Sequence, residues 1–433
     1  MVTIRNSGHR RSRTRRAHAK GKAAVGVALA SAVALFAAAC SSSSSPSSAS
    51  PAATAGATSG ATGGASLSGA PIKVGTIMSS SGPYGDPTWA EMADIWEKWT
   101  NANGGINGHP VDLVVKDDQS STTTGLQDAK QLVEQQHVIA IIGASAVSVT
   151  SWAPYLTAKH IPLIGGEAAT QFGAPPNVFG ASLGVPAELV ALFSVAKLAG
   201  AQKAAQIYAT SAVSGPAFLT ASKQAAAAAG VDLVYASGGT PTQPDFTAAC
   251  LGAKSSGAQT ILLGIPSVTQ QIVKTCRTQG YTGSFLSDAG LIPPSLSTDT
   301  SIGSAKIYSV SGVWPFFVKS TASQQAYFKA INTYDPSLLT NPGYDPYNQV
   351  SWVGFEMFKA AAVAGGTGPS STSADLTSAL YKVKDETLGG LTGPTTYLAT
   401  DKSHLGSCYF ASELSGGQWT TPFGAAAHCL TNS

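Results

Sequence analysis

Ile72-Lys73-Val74-Gly75-Thr76-Ile77 is a short apolar run. It is followed by the loop Ser79-Ser80-Ser81-Gly82-Pro83-Tyr84-Gly85, and then by Trp89, Ala93, Trp96 and Thr100 at helical spacing. A brief apolar run bounded by turn residues fits a strand buried on both faces, and the spacing after it fits a helix covering that strand. The same unit recurs along the chain. Val111–Val115 reads as a strand, Leu126–Gln136 as a helix, and Val138–Ile142 and Ile161–Ile164 as strands. Further on, strands at Ala204–Ala209, Val231–Ala236 and Thr260–Leu263 alternate with helices at Phe218–Ala229, Phe246–Ser255 and Thr269–Gln279. Alternation of this kind gives parallel sheets covered by helices, an α/β fold whose ligands bind beyond the carboxyl ends of strands. The folded part, about 70–433, is long enough for two such domains.

The N-terminus is of another kind. Arg5, Arg10, Arg11, Arg13, Arg15, Arg16, Lys20 and Lys22 precede the uncharged, Ala-rich stretch Ala23–Ala39, and no acidic residue stands before Cys40. A basic region, an apolar region and a small-residue cleavage site make a secretory signal, here residues 1–39. Ala37-Ala38-Ala39-Cys40 resembles the bacterial lipobox, with Ala37 where a Leu is usual; that resemblance implies cleavage before Cys40 and lipidation of its thiol. Residues 41–69 are Ser, Ala, Gly, Thr and Pro with almost no large apolar side chain, so they cannot fold by burial. Residues 40–69 therefore read as an anchored linker with an end-to-end distance of about 30 Å.

The leader accounts for the chain's apparent basicity. The whole sequence has 26 basic and 23 acidic residues; removing the leader's eight basic ones leaves 18 against 23, a net of −5. No nucleic-acid footprint remains. Beyond Cys40 stand Cys250, Cys276, Cys408 and Cys429. An even number outside the reducing cytosol predicts two disulfides, with three possible pairings, of which Cys250–Cys276 and Cys408–Cys429 are the local ones. No P-loop, zincin or nucleophile-elbow motif is present. His109, His137, His160, His404 and His428 are scattered, so neither a metal site nor a cofactor is expected, and the chain does not read as an enzyme.

Several pieces in order carry a family likeness: Ile72-Lys73-Val74-Gly75, Ser81-Gly82-Pro83, Gly104-Gly105-Ile106-Asn107-Gly108, Asp117-Asp118-Gln119-Ser120, Ile141-Ile142-Gly143, Ile161-Pro162-Leu163-Ile164, Asp245-Phe246, Gln279-Gly280 and Leu391-Thr392-Gly393-Pro394. From about Pro71 to Thr420 the chain resembles the type I periplasmic binding proteins of the branched-chain amino-acid and amide/urea group. The resemblance implies two Rossmann-like lobes, a ligand cleft between them and three hinge crossings. Lobe 1 would be 71–182 plus 312–392, and lobe 2 would be 183–311 plus 393–433. Cys250 and Cys276 would then lie on successive helices, and Cys408 and Cys429 would staple a C-terminal hairpin.

The first loop, with Ser81 and Tyr84, precedes a helix, so its hydroxyls and N–H groups suit an anion. The resemblance implies ligand contacts at Val147 and Ser148, and at Ala168 and Ala169; Glu167, unusual in that loop, reads either as a partner for a cation or as a cap of the following turn. It aligns two tyrosines of the family with Val213 and Ile265 and its ammonium-binding Glu with Ala289, next to Asp288. Tyr84, Trp314 and Tyr347 are candidate aromatic walls. Asp117 and Asp118 read as structural, and Asp245 as a helix cap. The implied function is an extracytoplasmic, lipid-anchored solute-binding protein of an ABC importer. It would bind an amino acid or related polar molecule by hinge closure, dock on permease subunits and act as a monomer. A ligand sensor on the same fold is the alternative, and a secreted enzyme a third.

Overall fold

The computed structural model describes Leu67 and residues 69–430, apart from 173–174, 211–214, 266–267 and 402–403. The leader, Cys40, nearly all of the linker and Val213 lie outside the described residues.

Fourteen strands are described: β1 (Ile72–Met78), β2 (Val111–Asp117), β3 (Ile141–Ile142), β4 (Leu163–Ile164), β5 (Val178–Leu183), β6 (Lys203–Ala209), β7 (Asp232–Gly239), β8 (Thr260–Gly264), β9 (Ser284–Asp288), β10 (Ile307–Ser311), β11 (His404–Gly406), β12 (Cys408–Ser415), β13 (Gln418–Thr420) and β14 (His428–Cys429). They form two sheets, ordered β11-β5-β4-β3-β1-β2 and β13-β12-β10-β9-β8-β6-β7, with β14 on β12. The first sheet is parallel throughout. In the second, β7, β6, β8, β9 and β10 are parallel, and β12 closes one side antiparallel. Both lobes repeat one winding: the first strand pairs outward with the second and inward with the third. Each therefore has a switch point at the carboxyl ends of its strands, where α/β folds place ligands.

The physical basis is the near-continuous burial that the apolar runs require. β1 buries six of its seven residues, all but Lys73, and β5 buries all six. Helices Pro87–Ala102 and Tyr347–Gly365 cover one face of the first sheet, sealed by Trp96, Trp352, Phe355 and Phe358. Asp86 caps the first of these, accepting from the Thr88 N–H at 2.9 Å.

The chain passes between lobes at Leu183–Val185, after β10, and between β11 and β12. At these crossings the strands touch closely. A Cβ on Gly312 would lie 1.8 Å from Ser182 Oγ, and one on Gly406 3.2 Å from the Ala181 carbonyl oxygen. Thr392 Oγ1 donates to the Ala181 carbonyl at 2.6 Å and is also 3.3 Å from that of Gly312. The sequence assigns residues from 393 onward to the second lobe. The β11–β5 pairing instead carries the chain with the first sheet to Gly406: Tyr397 is buried in that lobe's core, and His404 stacks on Phe179 at 4.7 Å.

Disulfides join Cys250 to Cys276, on helices Thr247–Ser255 and Thr269–Thr278, and Cys408 to Cys429, which face each other across β12 and β14.

Candidate functional site

Four side chains with proton chemistry meet between the lobes. Glu167 lies in the first turn of helix Gly166–Phe172, after the β4 turn. Glu188 lies in the first turn of helix Val185–Leu198, immediately after the first crossing. Asp288 ends β9, and its Oδ1 accepts from the Gly290 N–H at 2.7 Å. Tyr347 begins helix Tyr347–Gly365, and its hydroxyl donates across the cleft to Asp288 Oδ2 at 3.3 Å.

The approach of Tyr347 to Glu167 depends on glycine. Gly165 has φ +60°, and a Cβ there would come within 2.1 Å of Gly354 Cα on the Tyr347 helix. Only residues without side chains allow helix and turn to approach this closely.

These groups line two adjoining spaces. One is a polar recess of about 30 Å³ between the lobes, walled by Glu167, Thr170, Ser182, Glu188, Asp288 and Tyr347. The other is a chamber of about 210 Å³ lined by Leu189, Leu192, Phe218, Leu262, Leu263 and Leu291, with Glu188, Asp288 and Tyr347 shared by both. Among the described residues no Lys, Arg or His lines either space. No group of three or more His, Cys, Asp or Glu among them has the geometry to hold a metal ion.

A cluster of carboxyls removed from bulk water resists ionising. Burial, reinforced by the nearby Asp288 and Asp345, pushes Glu167 up to about 8. Glu188 is raised well above the carboxylate range, first by burial and then by Asp288, to which it is hydrogen-bonded. Asp288 is raised by burial, partly opposed by its bonds from Gly290, Glu188 and Tyr347. In this pair Glu188 keeps its proton and donates to Asp288. Behind the recess, burial pushes Asp345 up to about 7, while Trp89 Nε1 donates to it at 3.3 Å.

The first-lobe candidates occupy a different network. Ser81 Oγ donates to Asp117 Oδ2 at 2.6 Å, and the Ser80 and Ser81 N–H groups donate to Asp117 Oδ1. The buried Asp118 accepts from Ser79 Oγ at 2.7 Å, from the Ser120 N–H at 2.8 Å and from Ser148 Oγ. Ser148 Oγ also accepts from Trp152 Nε1 at 3.0 Å. The Val147 N–H donates to Ser79 Oγ at 3.1 Å. The hydroxyls of Ser79, Ser81 and Ser148 are thus committed to carboxylates that fix the loops, while the buried Ser80 Oγ has no partner. Tyr84 joins this network through its N–H, which donates to Ser120 Oγ at 3.3 Å, and the residue is 71% exposed.

Ala168 and Ala169 are fully buried in the first lobe's core, where the Ala168 N–H donates to the Ala144 carbonyl. Ile265 is fully buried in the second lobe's core, under Gly239. None of these three lines the cleft. Trp314, a candidate wall, is buried against Tyr327. Asp288, Glu167 and Tyr347 do come together. Glu188 was missed, because an acid in a helix's first turn is ordinary complementation of the dipole.

Two α/β lobes joined by three crossings, with a partly enclosed cavity between them, define a two-lobed ligand-binding protein. The model of the family described as "Periplasmic binding protein" matches residues 71–418, and the chain belongs to that family. A solute-binding protein of an ABC transporter from R. palustris, solved in complex with benzoate, has a TM-score of 0.65 at 18% identity, covering 84% of this chain and 98% of that one. LivJ, the branched-chain amino acid transporter substrate binding protein of Streptococcus pneumoniae, solved with isoleucine, has a TM-score of 0.63 at 18% identity, covering 83% and 99%. An amino acid binding protein of Pseudomonas aeruginosa is 27% identical over 221 residues, which are 50% of this chain and 59% of that protein's length.

Proposed function

We propose that this chain is an extracytoplasmic solute-binding protein that serves an ABC importer. It captures one small molecule between its lobes and presents the closed form to permease subunits. The observation that carries this reading is the cavity at the crossings, to which Tyr347 and Glu167 come from one lobe and Glu188 and Asp288 from the other. A ligand touching both lobes gains affinity only when they close, so binding shifts the hinge equilibrium.

In this reading the leader directs export and Cys40 carries the lipid. Residues 41–69 tether a monomeric domain just outside the membrane. Capture requires no catalytic step and no cofactor. The solved relatives were crystallised with benzoate and with isoleucine, two small organic solutes.

Small-angle scattering of the purified protein, with and without a mixture of small metabolites, tests capture. A smaller radius of gyration with the mixture is expected, and chemical conversion of a captured compound would refute the reading. For the anchor, Cys40→Ser should move the protein from the membrane fraction to the medium.

A further inference from the structure

The cleft has a chemical bias. The polar side chains facing the larger chamber come from Glu188, Asp288 and Tyr347, and the rest of its wall is apolar. A further acceptor lies behind that wall. Gln206 is fully buried and is the register partner of Leu262, on the same face of the sheet. Its Nε2 donates to Ser222 Oγ at 2.9 Å, while its Oε1 has no partner. In the first lobe's loops the hydroxyls of Ser81 and Ser148 are bound to Asp117 and Asp118. A ligand carboxylate in the chamber or the recess would meet acids and, among the described lining residues, no cation.

On the footing that this cleft is the capture site, we propose that the ligand is a small apolar amine without a carboxylate. Its ammonium is held by Glu188, Asp288 and the Tyr347 oxygen, and its hydrocarbon lies among Leu189, Leu192, Phe218 and Leu262. An ammonium is all donor and these groups accept, so the match is one of charge as well as hydrogen bonding. Size agrees: an apolar cavity of about 150 Å³ holds benzene, so about 210 Å³ accommodates a ring or branched chain with a short aminoalkyl arm.

Binding must displace protons. The titrating groups around the ammonium are Glu188 and Asp288 from the second lobe and Glu167, Asp345 and Tyr347 from the first. All are raised by burial; Glu167, Glu188 and Tyr347 are raised further by the charges of neighbouring acids and Asp345 by that of Asp86, while hydrogen bonds from Gly290, Glu188 and Tyr347 partly oppose the rise at Asp288. In the free protein the carboxyls hold protons to unusually high pH, whereas the cation needs them ionised. Affinity for an amine therefore rises with pH across the window in which Glu167, with its pKa of about 8, and its neighbours ionise.

The test is isothermal titration of the exported protein with matched probes. These are 2-phenylethylamine and 3-methylbutylamine, their amino-acid counterparts phenylalanine and leucine, and 3-phenylpropionate. We expect at least one amine to bind tenfold or more tighter than its amino acid and than the acid. That affinity should strengthen from pH 5.5 to 8.5, and buffers of different ionisation heat should reveal proton release. Glu188→Gln and Asp288→Asn, isosteric changes, should each weaken the amine at least tenfold with an unchanged or higher melting temperature. The proposal is overturned if neither amine binds, if an acid or amino acid binds as tightly, or if affinity falls with pH. Closure on some other compound would then leave the solute-binding reading standing. A protein that closes on nothing in a metabolite mixture removes both.

Discussion

Replacing Glu167 by Gln isolates the cost of the buried acid cluster without changing shape. Its carboxyl moves from 4.5 to about 8 on folding, through burial and the charges of Asp288 and Asp345. Such a group favours the folded state while protonated and opposes it once pH exceeds the unfolded value. At about 1.4 kcal/mol for each pH unit, the ceiling is about 3 kcal/mol at pH 7 and about 5 kcal/mol above pH 8. Water entering the cleft lowers this, leaving about 2 kcal/mol at pH 7. With unfolding entropy of about 2.1 cal/mol/K per residue over roughly 360 residues, that is about 3 °C in melting temperature. Thermal unfolding of both proteins from pH 4 to 9 is the assay. The two curves should coincide near pH 4 and diverge through pH 5–8, with Glu167→Gln the more stable. Parallel curves, or a variant less stable at pH 8, would refute the reasoning.

Asp118→Ala strands the hydroxyls of Ser79 and Ser148 and the Ser120 N–H, and should cost about 3 kcal/mol in urea unfolding. Gly165→Ala combines a left-handed backbone with a 2.1 Å approach to Gly354 Cα; a loss of about 3 kcal/mol or more is expected, read as a lower melting temperature. Gly312→Ala drives a Cβ to 2.7 Å from the Ser182 backbone at a crossing, and should weaken ligand-induced closure measured by scattering. Removing the Cys408–Cys429 bridge should lower stability by about 2–4 kcal/mol, matched by reductant acting on the native protein.

The fold was legible because buried parallel strands announce themselves locally. The run at Ile72–Ile77 became β1 almost unchanged, and the helix read from Trp89 to Thr100 became Pro87–Ala102. Where a strand had few ladder partners the signal overran: Val138–Ile142 yields only Ile141–Ile142, since the Ile139 N–H bonds singly to Lys73. The end of the first lobe was misplaced because His404–Gly406 is too short to read as a strand; its pairing with β5 is purely tertiary. The site was half legible. Asp288 was reached as the carboxylate beside the position that aligns with the family's ammonium-binding Glu, and Glu167 as an unusual acid in a turn. That both meet Glu188 and Tyr347 depends on three crossings and a glycine contact between distant segments, which no local pattern encodes. Positions taken from the family likeness, such as Ile265 and Ala168, fell into the core because apolar residues there pack inward.

Capture of one small molecule between the lobes is most directly tested by native mass spectrometry of the exported protein, isolated without refolding and compared with Tyr347→Ala. A single small molecule per chain, unchanged on prolonged incubation and lost from the variant, is the predicted result. A bound compound that is converted to product, or one retained equally by Tyr347→Ala, would contradict it.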